Sequence, residues 1–224
     1  MQEKTNTVSK TFMVLTAIYI TCLLLSNLIA GKVCLFFGMT LPAAVILFPI
    51  TYILADVFTE VYGYRKMRTV IWLGFGSTFF AILVYMATIA LPSPAFFENA
   101  EAYKIVLSTT PRMALASFAG YLFGEFSNSM ILSKLKVVTR GKKLWLRTIL
   151  STVVGEFFDS VIFITISFAG TMAAGALWQM VLFQYLFKVL YEVVCTPLTY
   201  VVIGWIKKKE NTDTYDDAVK YTLI

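Results

Sequence analysis

Six apolar runs divide this chain, each about as long as a lipid bilayer is thick: approximately 11–31, 42–63, 69–91, 112–133, 148–170 and 178–206. A helix needs roughly twenty mostly apolar residues to cross the hydrocarbon core. A chain cut this way has few alternatives, because in lipid only helices and closed barrels satisfy their own backbone. Composition agrees: 58% of the 224 residues are hydrophobic and 14% charged, against about a quarter charged in soluble domains. The expected fold is all-α, a polytopic membrane protein with six transmembrane helices over 11–206. A short segment 1–10 precedes them and a polar, loose tail follows at 207–224. The first run follows Lys4 and Lys10, but its length and the lack of a cleavage site mark a retained helix rather than a signal peptide.

The charges between the runs alternate. Arg65, Lys66 and Arg68 separate the second and third runs. Lys134, Lys136, Arg140, Lys142, Lys143 and Arg147 separate the fourth and fifth, and Lys207 to Lys209 follow the sixth. The other loops carry only Lys32, then Lys104 and Arg112 offset by Glu98 and Glu101. By the positive-inside rule both termini are expected in the cytoplasm, and the lipid bilayer is the chain's constant partner. Residues 92–111 read as an external cap or an interfacial helix, and in "STTPRM" Thr110 is the expected cap with Pro111 in the first turn.

Several function classes fall away. The net charge of +6 belongs to the loops and not to a nucleic-acid surface. There is no His, the commonest general base and metal ligand. Cys22, Cys34 and Cys195 lack metal-site spacing and read as packing thiols. No Gly-rich loop for nucleotide phosphates is present, and no protease motif surrounds Asp56 or Asp159. No enzyme, cofactor or metal is expected.

What remains are acids in the apolar runs. Asp56, Glu60, Glu125, Glu156, Asp159 and Glu192 all fall there, and Lys188 is the one cation well inside. A charge at the bilayer centre costs a few kcal/mol even on lenient scales, so such residues face protein or water. Their spacing collects them into stripes, because residues four apart share a helix face. Examples are Tyr52, Asp56 and Glu60; Tyr121, Glu125 and Ser129, with Asn128 beside; Thr152, Glu156 and Ser160, with Asp159 beside; and Lys188, Glu192 and Thr196. Turned inward, the four stripes would line a polar cavity. Glu60 alternatively pairs with Arg65 near the interface, Lys188 and Glu192 alternatively form an intrahelical pair, and Asn27 and Asn128 alternatively serve as interhelical hydrogen-bond groups. Pro49 and Pro197 are expected to interrupt runs near these acids.

Two echoes run through the chain. "SNLIAGK" at 26–32 resembles "SNSMILSK" at 127–134, hinting at a weak inverted three-plus-three repeat. "GEFSNS" at 124–129 resembles "GEFFDS" at 155–160. Together, "ITYILADVFTEVYGYRKMR", "GEFSNSMILSKLK", "RTILSTVVGEFFDS" and "FKVLYEVVCTPLTYVVIGWIKKKE" resemble the queuosine precursor transporter family, also called the vitamin uptake transporter-like family. The likeness runs from about Ser26 to Glu210.

That resemblance implies inner-membrane uptake of 7-cyano-7-deazaguanine and 7-aminomethyl-7-deazaguanine, precursors of a modified transfer-RNA base. By the same likeness Asn27, Asp56, Glu60, Glu125, Asn128, Glu156, Asp159, Lys188 and Glu192 match the family's polar motif positions. A carboxylate can accept both donors of a guanine-like edge, and such charge-assisted bonds are about twice as strong as neutral ones. Glu156 and Asp159 are the expected donor-edge partners, with Phe123, Phe126, Phe157, Phe158 and Tyr191 available for stacking. The alternative is a substrate-binding membrane subunit served by a separate energising complex. A homo-oligomer is compatible with either.

Overall fold

The computed structural model describes residues 9–30, 32–36, 39–108, 111–170, 173–217 and 219–223. It is a helical bundle with one small hairpin. Helix α1 covers Lys10–Ile29, strands β1 and β2 cover Val33–Phe36 and Met39–Pro42, and α2 covers Phe48–Val57. Then come α3 (Tyr64–Ala90), α4 (Ala100–Leu107), α5 (Pro111–Val138), α6 (Leu144–Phe168) and α7 (Ala174–Glu210). Ser9 caps α1 by accepting the N–H of Phe12 at 3.0 Å. Thr110, the expected cap of α5, and Lys4 lie outside the described residues.

Four of these helices, α1, α3, α6 and α7, are long and apolar enough to cross a membrane. Helix α5 has the length, at 28 residues, but its polar stripe and terminal cations dilute its apolar character. The expected span at 42–63 is built differently. The antiparallel hairpin pairs Val33 with Pro42 and Phe36 with Met39, a 3-10 turn covers Ala43–Ile46, and Pro49 sits in the first turn of α2, starting that helix and not kinking it. A π turn over Phe58–Tyr62 then ends at Gly63. Hydropathy alone cannot separate such pieces from one continuous helix, because every piece is apolar. Pro197, by contrast, does lie inside α7.

Helix α2 and its π turn form the centre of the bundle. Val57, Phe58 and Val61 are fully buried, and Tyr19 of α1, Met67 and Ile71 of α3, and Ile203 and Ile206 of α7 pack around them. A helix that is apolar all round belongs inside. The outward faces are apolar too, with Phe80, Leu190, Val194 and Val201 each more than 60% exposed. That is an expected surface against lipid and an unusual one against water. Helix α4 has no buried residue.

The basic segments expected on one side of the membrane meet at one end of the bundle. Glu60 Oε1, fully buried, takes Arg147 at 2.8 Å, Lys207 at 2.8 Å and Lys136 at 3.6 Å. Arg65 is exposed and not a partner of Glu60. The segment after α7 is docked onto this end instead of hanging loose. Thr214 donates its N–H to Val61 O at 3.1 Å, and Lys136 donates to Thr214 O at 2.7 Å. Asp216, 6% exposed, accepts the Tyr64 N–H at 2.8 Å and the Ser133 hydroxyl at 2.5 Å. Gly63 makes room: with φ +85°, a Cβ there would meet Thr214 Cγ2 at 2.8 Å.

Candidate functional site

The crossing of α5 and α6 positions the acids. A Cβ on Gly155 would lie 2.9 Å from Gly124 O and 2.8 Å from Asn128 Cβ, and one on Gly124 would lie 3.0 Å from Asp159 Cβ. Only glycine lets the two backbones approach this closely, as small residues do at membrane helix contacts. The echo "GEFSNS"/"GEFFDS" is therefore the crossing itself. Each helix offers a glycine to the other and sets its glutamate, Glu125 or Glu156, one residue further on.

Helix α7 brings the cation. Lys188 is 8% exposed, and its Nζ lies 2.7 Å from Glu156 Oε2 and donates to Asp159 Oδ2 at 2.5 Å. It also stands 5.7 Å from the ring centre of Phe48. Phe48 stacks on Tyr52 at 5.7 Å with an interplanar angle of 19°, and the Tyr52 hydroxyl faces Glu156. A lysine at this depth is tolerable because two carboxylates and an aromatic face replace its water. Lys188 thus reaches across to α6 and makes no intrahelical pair with Glu192.

The remaining candidates separate into distinct surroundings. Asp56 and Glu192, 2% and 1% exposed, lie carboxyl to carboxyl. Glu125 faces the hydroxyl of Tyr19, which also approaches Tyr121, while Tyr121 donates to Ile71 O at 3.3 Å. Asn128 lies at the glycine crossing. Glu60 belongs to the charged network at the end of the bundle, and Asn27 is exposed on α1. Of the aromatics expected to stack, Phe123, Phe157 and Phe158 are turned to the outer surface at 58%, 50% and 40% exposure. Phe126 packs on Trp72 at 6.0 Å and Tyr191 on Phe187 at 6.1 Å. Sequence reasoning misses Phe48. Its signal is the spacing Phe48–Tyr52–Asp56, which continues the acidic stripe of α2 by one more turn.

Polar and charged side chains converge from α2, α5, α6 and α7 inside an apolar shell. This is the construction of a multi-pass membrane protein. The sequence profile of the family described as "Putative vitamin uptake transporter" matches residues 42–202, and the chain belongs to that family, which is one of transporters and not of enzymes. The chain is 27% identical over 189 residues to the "Probable queuosine precursor transporter" of Bacillus subtilis (strain 168), covering 84% of this chain and 82% of that one. It is 26% identical over 166 residues to the protein of the same description from Haemophilus influenzae (strain ATCC 51907 / DSM 11121 / KW20 / Rd), covering 72% and 68%. No solved structure matches it.

Proposed function

We propose that this protein carries 7-deazaguanine queuosine precursors, 7-cyano-7-deazaguanine and 7-aminomethyl-7-deazaguanine, inward across the cytoplasmic membrane. The names of its two relatives support the solute class. In this reading the chain crosses six times with both termini in the cytoplasm, α5 and the broken α2 supplying the two spans beyond the four long apolar helices.

The observation that carries the reading is the position of Lys188 between Glu156 and Asp159. A guanine-type edge presents a carbonyl, a ring N–H and an exocyclic amine in a row, one acceptor followed by two donors. Lys188 with its two carboxylates presents the complement, one donor and two acceptors, in a largely buried setting where charge-assisted bonds count for more. The base then lies against the stacked Phe48 and Tyr52. Glu125 and Asn128 flank the same crossing and form the opposite wall. An aminomethyl cation suits this acid-rich lining as well as the neutral nitrile does. Asn27 and Glu60 stay outside the base site.

Uptake of labelled 7-cyano-7-deazaguanine into vesicles holding only this protein tests the reading. The wild type is expected to transport, and Glu156→Gln and Asp159→Asn to lose at least about tenfold while keeping a monodisperse elution profile, a factor equal to about 1.4 kcal/mol. Normal rates in both variants would overturn the site.

A further inference from the structure

Asp56 of α2 and Glu192 of α7 lie carboxyl to carboxyl and are 2% and 1% exposed. Among the described residues neither has a Lys or Arg within ion-pair distance, whereas Glu60, Glu156 and Asp159 all do. Lys188 stands one turn from Glu192 on the same helix yet turns to α6. Asp56 Oδ2 and Glu192 Oε1 are buried and have no hydrogen-bonding partner. The titratable groups acting on Asp56 are Glu192, then Glu60 and Glu125, and those acting on Glu192 are Glu156 and Asp56, with the Cys195 thiol beside it. The cations nearby are held by other acids, Lys136, Arg147 and Lys207 by Glu60 and Lys188 by Glu156 and Asp159.

Two carboxylates cannot rest against each other without something positive between them. One proton, covalently held by one and shared with the other, is the smallest species that satisfies both orphaned oxygens. A hard metal ion would call for several more oxygen ligands, and the described residues hold no cluster of three acids arranged for one.

We propose that the Asp56–Glu192 pair is a proton-binding site distinct from the base site, and that one proton taken up there travels inward with each base. The proposal rests on the transport reading above. The pair joins α2 to α7, the helix that also carries Lys188. The proton that neutralises Asp56–Glu192 also removes a negative charge facing Glu156, one of the two acids on Lys188. Proton and base occupancy are thereby linked through a single carboxylate. No bond is made or broken except the O–H bond, formed on uptake from the outer side and broken on release inside.

The test uses the wild-type protein in vesicles with trapped pyranine, a pH-sensitive dye, and external 7-cyano-7-deazaguanine. Interior acidification accompanying uptake at about one proton per base is expected. An imposed gradient of one pH unit, acid outside, is expected to raise accumulation about tenfold, the free-energy equivalent of one unit. Asp56→Asn and Glu192→Gln should bring the ratio of accumulation with and without the gradient close to one. A sodium gradient replacing the proton gradient should do nothing. Uptake without acidification and without response to pH overturns the proton site while leaving the transporter reading intact. An undiminished gradient ratio in both variants overturns the assignment to this pair. Failure of the wild type to take up the base at all overturns both readings together.

Discussion

Asp216 accepts the backbone N–H of Tyr64 at 2.8 Å across 152 residues of sequence, pinning the last segment of the chain to the first turn of α3. Around this bond Tyr64 donates its hydroxyl to Thr222 O at 2.9 Å, and Trp72 donates Nε1–H to Leu223 O at 2.7 Å. The first four N–H groups of a helix have no intrahelical partner, and Asp216 supplies one of them. Replacing it by Ala leaves a buried donor orphaned, which costs about 1–3 kcal/mol. Asp216→Asn keeps one acceptor oxygen and is expected to lose less. Thermal unfolding in detergent should rank wild type above Asn above Ala, and equal midpoints would show that the contact contributes nothing.

Asp213 adds a pH-dependent contribution to this strap at the acid end. Burial acts to raise its carboxyl, but hydrogen bonds from Lys136 and Lys207 outweigh burial and hold it below its ordinary 3.8. A group whose folded value is depressed stabilises above its unfolded value and ceases to do so as pH falls through the folded one. The contribution is therefore constant from about pH 8 to about pH 5 and fades only below roughly 4. Fluorescence of Trp72, in a variant with the other three tryptophans replaced by Phe, reads the docked strap directly. A loosening centred near neutrality would assign control to another group.

Glu60 is the anchor of the charged end. It is fully buried and paired with Arg147, Lys207 and Lys136. Breaking a buried pair from one side costs about 3–5 kcal/mol, because the remaining charge is left uncompensated. Glu60→Gln and Arg147→Met are expected to fall in that range. Lys207 is 24% exposed on its side chain, so Lys207→Met should cost no more than about 1 kcal/mol. Denaturation midpoints of the three purified variants decide the ranking.

Gly155→Ala places a methyl group 2.8 Å from Asn128 Cβ and 2.9 Å from Gly124 O, so α5 and α6 must part. Overpacking of this kind costs about 1–3 kcal/mol, and it tilts Glu125 and Glu156 away from each other. Gly76→Ala, with nothing within 4 Å of its added Cβ, serves as the control and is expected to be neutral or stabilising by about 0.5–1 kcal/mol. A melting comparison of the pair separates close approach from helix propensity.

The contrast between Glu60 and Lys188 shows how far sequence reasoning reaches. Both are ionisable residues within apolar runs, and both are buried. Their partners, however, lie 87 and 147 residues away for Glu60 and on a different helix for Lys188, and no spacing rule reads such distances. Local rules point instead to Arg65 and Glu192, each within one or two turns, and neither is the partner in the folded chain. The tail shows the same limit, since a polar composition is compatible with loose chain and with docked chain alike.

Apolar length and loop charge are local properties, which is why long membrane-type helices and the grouping of basic loops are legible in the sequence alone. Period-four spacing likewise makes the acids face one side of each helix, since helix geometry alone dictates it. Which stripe meets which is decided by tertiary packing. The glycine crossing of α5 and α6, the central placement of the short α2 and the reach of α7 across to α6 divide the acids among four surroundings. Those are the lysine-paired acids Glu156 and Asp159, the pair Asp56–Glu192, Glu125 beside the Tyr19 hydroxyl, and the arginine- and lysine-bound Glu60. A carboxylate's partner is set by through-space distance, and only the folded chain brings residues of distant sequence within hydrogen-bonding reach.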